Sequence, residues 1–177
     1  MEITEEPYDG PVGRALVAAL TQDINERYAF EIVAWSAEEQ AQDEVDYQAE
    51  VTPELVVPPH GAFYVAWLDG RPAGCGALKP LHRDGTAPDV GEIKRMYTAP
   101  DARRRGVSRA VLDRLEERAG ELGYRRLQLE TGTAQPEALA LYETGGWHRI
   151  EPYGRYKDTA DSICFAKDLA GGEPSRP

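Results

Sequence analysis

The apolar and polar residues of this chain alternate in blocks that switch between two periods. Residues 1–8 read as a first strand. From Pro11 to Tyr28, Val12, Ala15, Leu16, Ala19, Leu20 and Ile24 recur at helical spacing and predict an amphipathic helix. Residues 37–50 read as a polar helix or an irregular acidic segment, and "TPELVVPPHG" as a proline-broken connection. Ala62–Leu68, "AFYVAWL", has the length and composition of a strand; Asp69-Gly70 is a turn, and "PAGCGALKPL" is the hairpin partner. After a break at "GTAPD", Glu92–Thr98 predicts a third strand, ended by Pro100. Gly106–Gly120 predicts a helix with Val107, Ala110, Val111, Leu115, Ala119 and Leu122 on one face, stopped by Gly123. "YRRLQLE" is the next strand and Pro136–Thr144 a short helix before Gly145-Gly146. A final hairpin is expected around residues 147–152 and 161–167. Antiparallel strands followed by a strand–helix–strand unit, which implies a parallel pair and a right-handed crossover, make an α/β (α+β) fold with a mixed, mostly antiparallel central sheet flanked by helices.

Length adds that one domain, residues 1–169, accommodates all of this, with a Gly/Pro-rich tail at 170–177 expected to be disordered. Apolar residues make up 41% and charged residues 29%, the balance of a soluble globular chain. No run of about 18 apolar residues is present, and Met1–Asp9 carries Glu2, Glu5 and Glu6, so neither a membrane span nor a secretory leader is expected and the chain is placed in the cytoplasm. Cys75 and Cys164 sit in apolar runs and read as buried thiols, with a single disulfide as the alternative. His60, His82 and His148 are scattered and no metal site is expected.

Charge changes the picture more. The net charge is -11, yet ten of the 20 Lys and Arg fall between Lys94 and Arg126, while Glu38–Glu54 holds seven acidic residues and no basic one. A pI near 4.8 argues against nucleic acid as partner. The basic centre, "DARRRGVSRAV", sits where a strand gives way to a helix. The first turn of a helix offers unpaired N–H groups and the positive end of its dipole, so this junction suits the phosphate of a small anionic ligand.

"RRRGVS", Arg103–Ser108, resembles the Q/R-x-x-G-x-G/A loop of the GNAT acyl-CoA-dependent N-acetyltransferases, with Ser108 in place of the last small residue. The resemblance extends over "EIKRMYTAPDARRRGVSRAVLDRLEERAGELGYRRLQLETG" and "ALALYETGGW", where Trp147 replaces the usual Phe, and more loosely over the first helix and hairpin. It implies a GNAT-like fold and acetyl transfer from acetyl-CoA to an amine, without a metal. It assigns the pyrophosphate to Arg103, Arg104, Arg105, Gly106, Val107, Ser108 and Arg109, and the pantetheine arm to the main chain of Met96, Tyr97 and Thr98 and to Gln135.

An alkylammonium has a pKa of about 10, so transfer at neutral pH needs a base. The resemblance offers two carboxylates: Glu92, placed like the base of histone-modifying members, and Glu130, placed like the base of members that acetylate ribosomal proteins. Glu92 is favoured because the central strand faces the acetyl group in this fold; pairing with Lys94, which alternation puts on its face together with Met96, would weaken it. Tyr142 is the candidate general acid. For the acceptor, the acidic run together with Tyr153 and Tyr156 suggests a small cationic amine. A protein N-terminus or lysine as acceptor, and a non-catalytic acyl-CoA-binding module, are the alternatives; a homodimer is left open.

Overall fold

The computed structural model describes residues 1–29, 36–81 and 88–169. The predicted tail at 170–177, His82 and the first part of the "GTAPD" break lie outside these residues. Strands β1 (Glu2–Glu5), β2 (Ala62–Leu68), β3 (Arg71–Pro80) and β4 (Val90–Thr98) form an antiparallel meander. Helix α1 (Pro11–Arg27) and helix α2 (Ala37–Ala49) connect β1 to β2, followed by a short 3-10 turn at Pro53–Val56. Helix α3 (Val107–Glu121) carries the chain from β4 to its parallel neighbour β5 (Arg126–Gly132). Helix α4 (Pro136–Thr144), β6 (His148–Ile150) and β7 (Ser162–Asp168) complete the described chain. Among the described residues seven strands make one sheet, in the order β1-β2-β3-β4-β5-β7-β6.

The predicted elements are present, with shifts that have physical causes. β1 stops at Glu5 because Pro7 and the turn it forms with Gly10 divert the chain. Residues 37–49 are helical, which resolves the polar segment. The final hairpin exists, but β7 slots between β5 and β6. "SICFAKD" is apolar enough for an interior position, whereas "HRI", with His148 and Arg149 exposed, suits the edge.

Both faces of the sheet are covered, so β2 and β3 read as nearly continuous apolar runs rather than alternating ones. On one face Val111, Leu112 and Leu115 of α3 pack with Tyr64, Ala66, Leu78, Ile93, Leu127, Leu129 and Phe165. On the other, Leu16, Val17 and Leu20 of α1 pack with Phe63, Val65, Cys75, Ala77 and Tyr97. Cys75 and Cys164 are buried free thiols, and His60 and His148 are exposed. No described helix is long and apolar enough to cross a membrane.

Leu115 is fully buried at the centre of the α3 face. Leu115→Ala removes about 2–5 kcal/mol of unfolding free energy, read from the midpoint of a urea titration at unchanged slope.

Candidate active site

β4 and β5 pair only through Val90 with Arg126, Gly91 with Leu127 and Glu92 with Gln128, and then part. β4 stays bonded to β3 as far as Thr98, and β5 to β7 as far as Gly132. Beyond Glu92 and Gln128 the two facing edges therefore have no ladder partner among the described residues, and a gap opens in the sheet. Its position, at the C-terminal ends of the sole parallel pair among the described strands, is where open α/β sheets bind ligands.

A bulge shapes the β4 side of the gap. Cys75 faces Tyr97 and Ala77 faces Lys94, so Arg95 and Met96 together oppose Gly76. Arg95 takes φ 56°, a left-handed conformation that is rare outside glycine. The bulge reverses the alternation. Met96 joins Ile93 in the core beneath α3, while Tyr97 joins the α1 face. Met96 therefore does not share a face with Glu92 and Lys94, contrary to the simple two-residue period. Arg95 turns its guanidinium over the Tyr47 ring at 3.6 Å, donates to the Tyr47 carbonyl, and donates to the Tyr8 hydroxyl at 3.3 Å.

The loop after β4 leads into α3 through Gly106, whose φ of 79° is left-handed. A Cβ there would meet no protein atom within 4 Å, so glycine serves the backbone conformation and the open approach rather than packing. Among the described residues no backbone carbonyl accepts from the amides of Arg104 through Arg109. These N–H groups lie at the positive end of α3, where a helix start favours an anion.

The arginines around this helix start have other partners. Arg103 pairs with Asp23 of α1 at 2.8 Å, and Arg105 pairs with Asp69 at 3.4 Å. Arg109 donates to the Leu141 carbonyl at 2.7 Å and to the Thr144 hydroxyl at 3.1 Å, tying α3 to α4. Arg104 is exposed with φ 61°. Val107 has its side chain buried in the core, and Ser108 is half-buried. Asp23 works against its own partial burial: hydrogen bonds and charge from Arg103 and Arg27 hold its carboxyl below the usual range.

The two candidate bases lie on the α1–α2 side of the sheet in different surroundings. Glu92 is buried and both its oxygens are taken: Oε2 by Lys79 at 2.8 Å, Oε1 by the Tyr153 hydroxyl at 2.9 Å and Lys94 at 3.5 Å. The anticipated pairing with Lys94 is present. Glu130 lies inside β5, two residues before its end, and is half-buried. It accepts from the Ser162 hydroxyl at 2.7 Å. Desolvation pushes its pKa above the carboxylate range, against the lowering effects of Lys94 and Ser162.

Tyr142 lies on the opposite face, in the α3 core, with ring centroids 5.8 Å from Trp147 and 5.7 Å from Phe165. Burial first, and the Glu130 charge second, push its phenol pKa well up, so the hydroxyl stays protonated. The base and acid candidates thus lie on opposite faces of the sheet, and the Glu130 charge acts on the Tyr142 phenol. Gln135 is the N-cap of α4, with no side-chain cap hydrogen bond.

Tyr153 is buried on Glu92 rather than presented at the surface, and Tyr156 is half-buried and donates to Glu50 at 2.7 Å. The acidic run is partly neutralised. Asp43 pairs with Arg155, and Glu50 with Lys94 at 3.2 Å. The side chains of Glu39 and Glu44 lie outside the described ones. Sequence reasoning passed over Glu50, Lys79, Gln128 and Ser162. Glu50 was one carboxylate in a run, and only the seating of α2 distinguishes it. Gln128, cross-strand from Glu92, keeps a buried Oε1 without a hydrogen-bond partner among the described residues.

Comparison with known proteins agrees with this geometry. A sequence model of the acetyltransferase (GNAT) family matches residues 22–147. The chain is 39% identical to the uncharacterized N-acetyltransferase YsnE of Bacillus subtilis, over 63% of this chain and 72% of that protein. It is 34% identical to the IAA acetyltransferase of Azospirillum brasilense, over 66% and 73% respectively. The fold matches a Klebsiella pneumoniae protein described as an acyl-CoA N-acyltransferase, with TM-score 0.68 and 25% identity over 95% of this chain and 97% of that one. It also matches a GNAT family acetyltransferase of Elizabethkingia anophelis that has acetyl-CoA bound, with TM-score 0.60 and 19% identity over 95% and 97%. Seven strands parted at one parallel pair, a glycine-opened helix start and the family match together place this chain in the GNAT family of acetyl-CoA-dependent N-acetyltransferases.

Proposed function

We propose that the protein acetylates the primary amine of a small molecule, with Glu130 as general base and Tyr142 as general acid. The observation that carries this reading is the pair itself: a half-buried carboxyl with a raised pKa on the α1–α2 face of the sheet, and on the α3 face a phenol whose proton burial and the Glu130 charge hold in place. A general base is most effective when its pKa approaches the working pH, and burial moves Glu130 in that direction. Glu92, bound by two lysines and a tyrosine, is better suited to holding the site together.

The residues present suit acetyl-CoA. The amides of Arg104–Arg109 are free for a pyrophosphate, and the unladdered edge of β4 at Met96, Tyr97 and Thr98 is free for an extended amide chain. Acetyl-CoA brings the thioester whose acyl group the amine takes. Glu130 accepts the proton that the ammonium must lose. Tyr142 holds a proton at its hydroxyl for the departing thiolate, and an unpaired main-chain N–H on the β4 edge is the donor for polarising a carbonyl. The orphan acceptor on Gln128 suits a ligand that brings an N–H. The acidic run attracts a cationic acceptor less than its composition suggests, because Asp43 and Glu50 already have cations. A protein N-terminal amine is the second reading, favoured by the twelve-residue spacing of Glu130 and Tyr142 that the ribosomal-protein-acetylating members resemble.

Glu130→Gln lowers kcat by about 10²–10⁴-fold with a panel of small amines while the Kd for CoA stays within twofold of wild type. Glu92→Gln instead lowers stability by about 3–5 kcal/mol, as breaking a buried pair does. The reverse assignment, an active Glu130→Gln beside a folded but inactive Glu92→Gln, makes Glu92 the base. Activity rises with pH through the raised pKa of Glu130, since the carboxylate is the acting form. Turnover of peptides but of no small amine in the panel selects the second reading.

Gly106→Val weakens CoA binding at least tenfold in calorimetry, because a β-branched residue disfavours φ 79° and a side chain enters the anion's path. Arg104→Ala or Arg105→Ala costs about two- to fivefold, the scale of an exposed charge. Equal losses would mean that charge rather than backbone makes the seat.

A further inference from the structure

Lys94 takes no part in that acid–base pair, yet the acceptor side of the site is assembled around it. Its side chain is 7% exposed. Its ammonium lies 3.5 Å from Glu92 on its own strand, 3.2 Å from Glu50 immediately after α2, and donates to the Tyr156 hydroxyl in the turn between β6 and β7. It also sits 4.7 Å from the centre of the Tyr156 ring. Tyr156 in turn donates to the second oxygen of Glu50. One cation therefore joins three parts of the chain that are distant in sequence. Helix α2 has little apolar surface with which to dock; its Val45 is 60% exposed. Polar ties such as Lys94 with Glu50 and Arg95 with Tyr47 are what seat its C-terminal end.

The groups that act on Glu130 come from every element around it. β4 supplies Glu92 and Lys94, and the end of α2 supplies Glu50. β7 supplies the Ser162 hydroxyl and the cross-strand Cys164. α4 supplies Tyr142, and the turn after β6 supplies Tyr156. Among these groups Lys94 is the cation, set against three carboxylates.

We propose that Lys94 is a positioning residue of this enzyme: pinned between Glu92, Glu50 and Tyr156, its ammonium closes the acceptor side over the gap and supplies the positive charge that balances Glu130. This rests on the reading of Glu130 as the base, but concerns a different residue and a different observable. Loss of the Lys94 charge leaves Glu50 and Glu92 less compensated, and both then favour the protonated form of Glu130. Loss of the Glu50 charge acts in the opposite sense, because a carboxylate that raises the Glu130 pKa is gone. Opposed signs from two neighbours in one cluster are an electrostatic signature that loss of packing does not produce.

The test is a pH titration of the Glu130 side-chain carboxyl by carbon-13 NMR on the full chain without ligand, the resonance assigned with Glu130→Gln. The midpoint moves up by about one pH unit in Lys94→Met, returns toward wild type in Lys94→Arg, and moves down in Glu50→Gln. Glu50→Gln keeps the shape of the side chain and so provides the reading should Lys94→Met fail to fold. Unmoved midpoints, or shifts of the same sign in Lys94→Met and Glu50→Gln, overturn the role of Lys94. The titration needs no turnover, so a negative result here is distinct from failure of the base reading, which shows as full activity in Glu130→Gln.

Discussion

The gap in the sheet opens because β4 does not remain in register with both neighbours. Its pairing to β3 survives a bulge at Arg95 and Met96, while its pairing to β5 ends at Glu92. Backbone N–H and C=O groups are costly to leave unmade in a buried sheet, so an unpaired edge at its centre needs a ligand, water or side chains to satisfy it. That one interruption leaves the main chain of β4 without a ladder partner on its β5 side among the described residues. It also reverses the side-chain phase of β4, which is why Met96 lies in the core and Tyr97 on the α1 face.

Charge is the second organising term. The chain carries a net charge of -11, yet its arginines and lysines are spent locally. Arg103 bonds to α1, Arg109 to α4, and Lys79 and Lys94 to Glu92. Such pairs add little stability on an exposed surface and more as constraints where they are buried. At the Gly106 turn the groups left without a carbonyl partner are backbone amides, and Arg103 and Arg109 beside them are held by other residues.

Much of this architecture was legible in the sequence because local rules and the global fold agree. The helical spacing from Val12 to Ile24, the Gly106 junction and the Pro136–Thr144 helix all appear where the pattern puts them. The insertion of β7 between β5 and β6 was not legible, since strand order in space leaves no periodic mark. The bulge was also hidden: Arg95 is not a glycine, and nothing in "EIKRMYT" announces a left-handed residue. Glu92 and Glu130 are both strand carboxylates, and the sequence favoured Glu92 for its place on the central strand. What separates them is the Lys79–Tyr153–Lys94 cage around Glu92, and its members are spread over more than seventy residues of sequence.

The central claim is that main-chain groups exposed by the parted strands and by the Gly106 turn form the acetyl-CoA site. Amide hydrogen exchange with and without saturating acetyl-CoA addresses it directly, because it reads those N–H groups themselves. The account predicts slowed exchange at Arg104–Arg109 and along β4 from Met96 to Thr98, with the edge strands β1 and β6 unchanged. Acetyl-CoA binding that leaves both segments unprotected would contradict it.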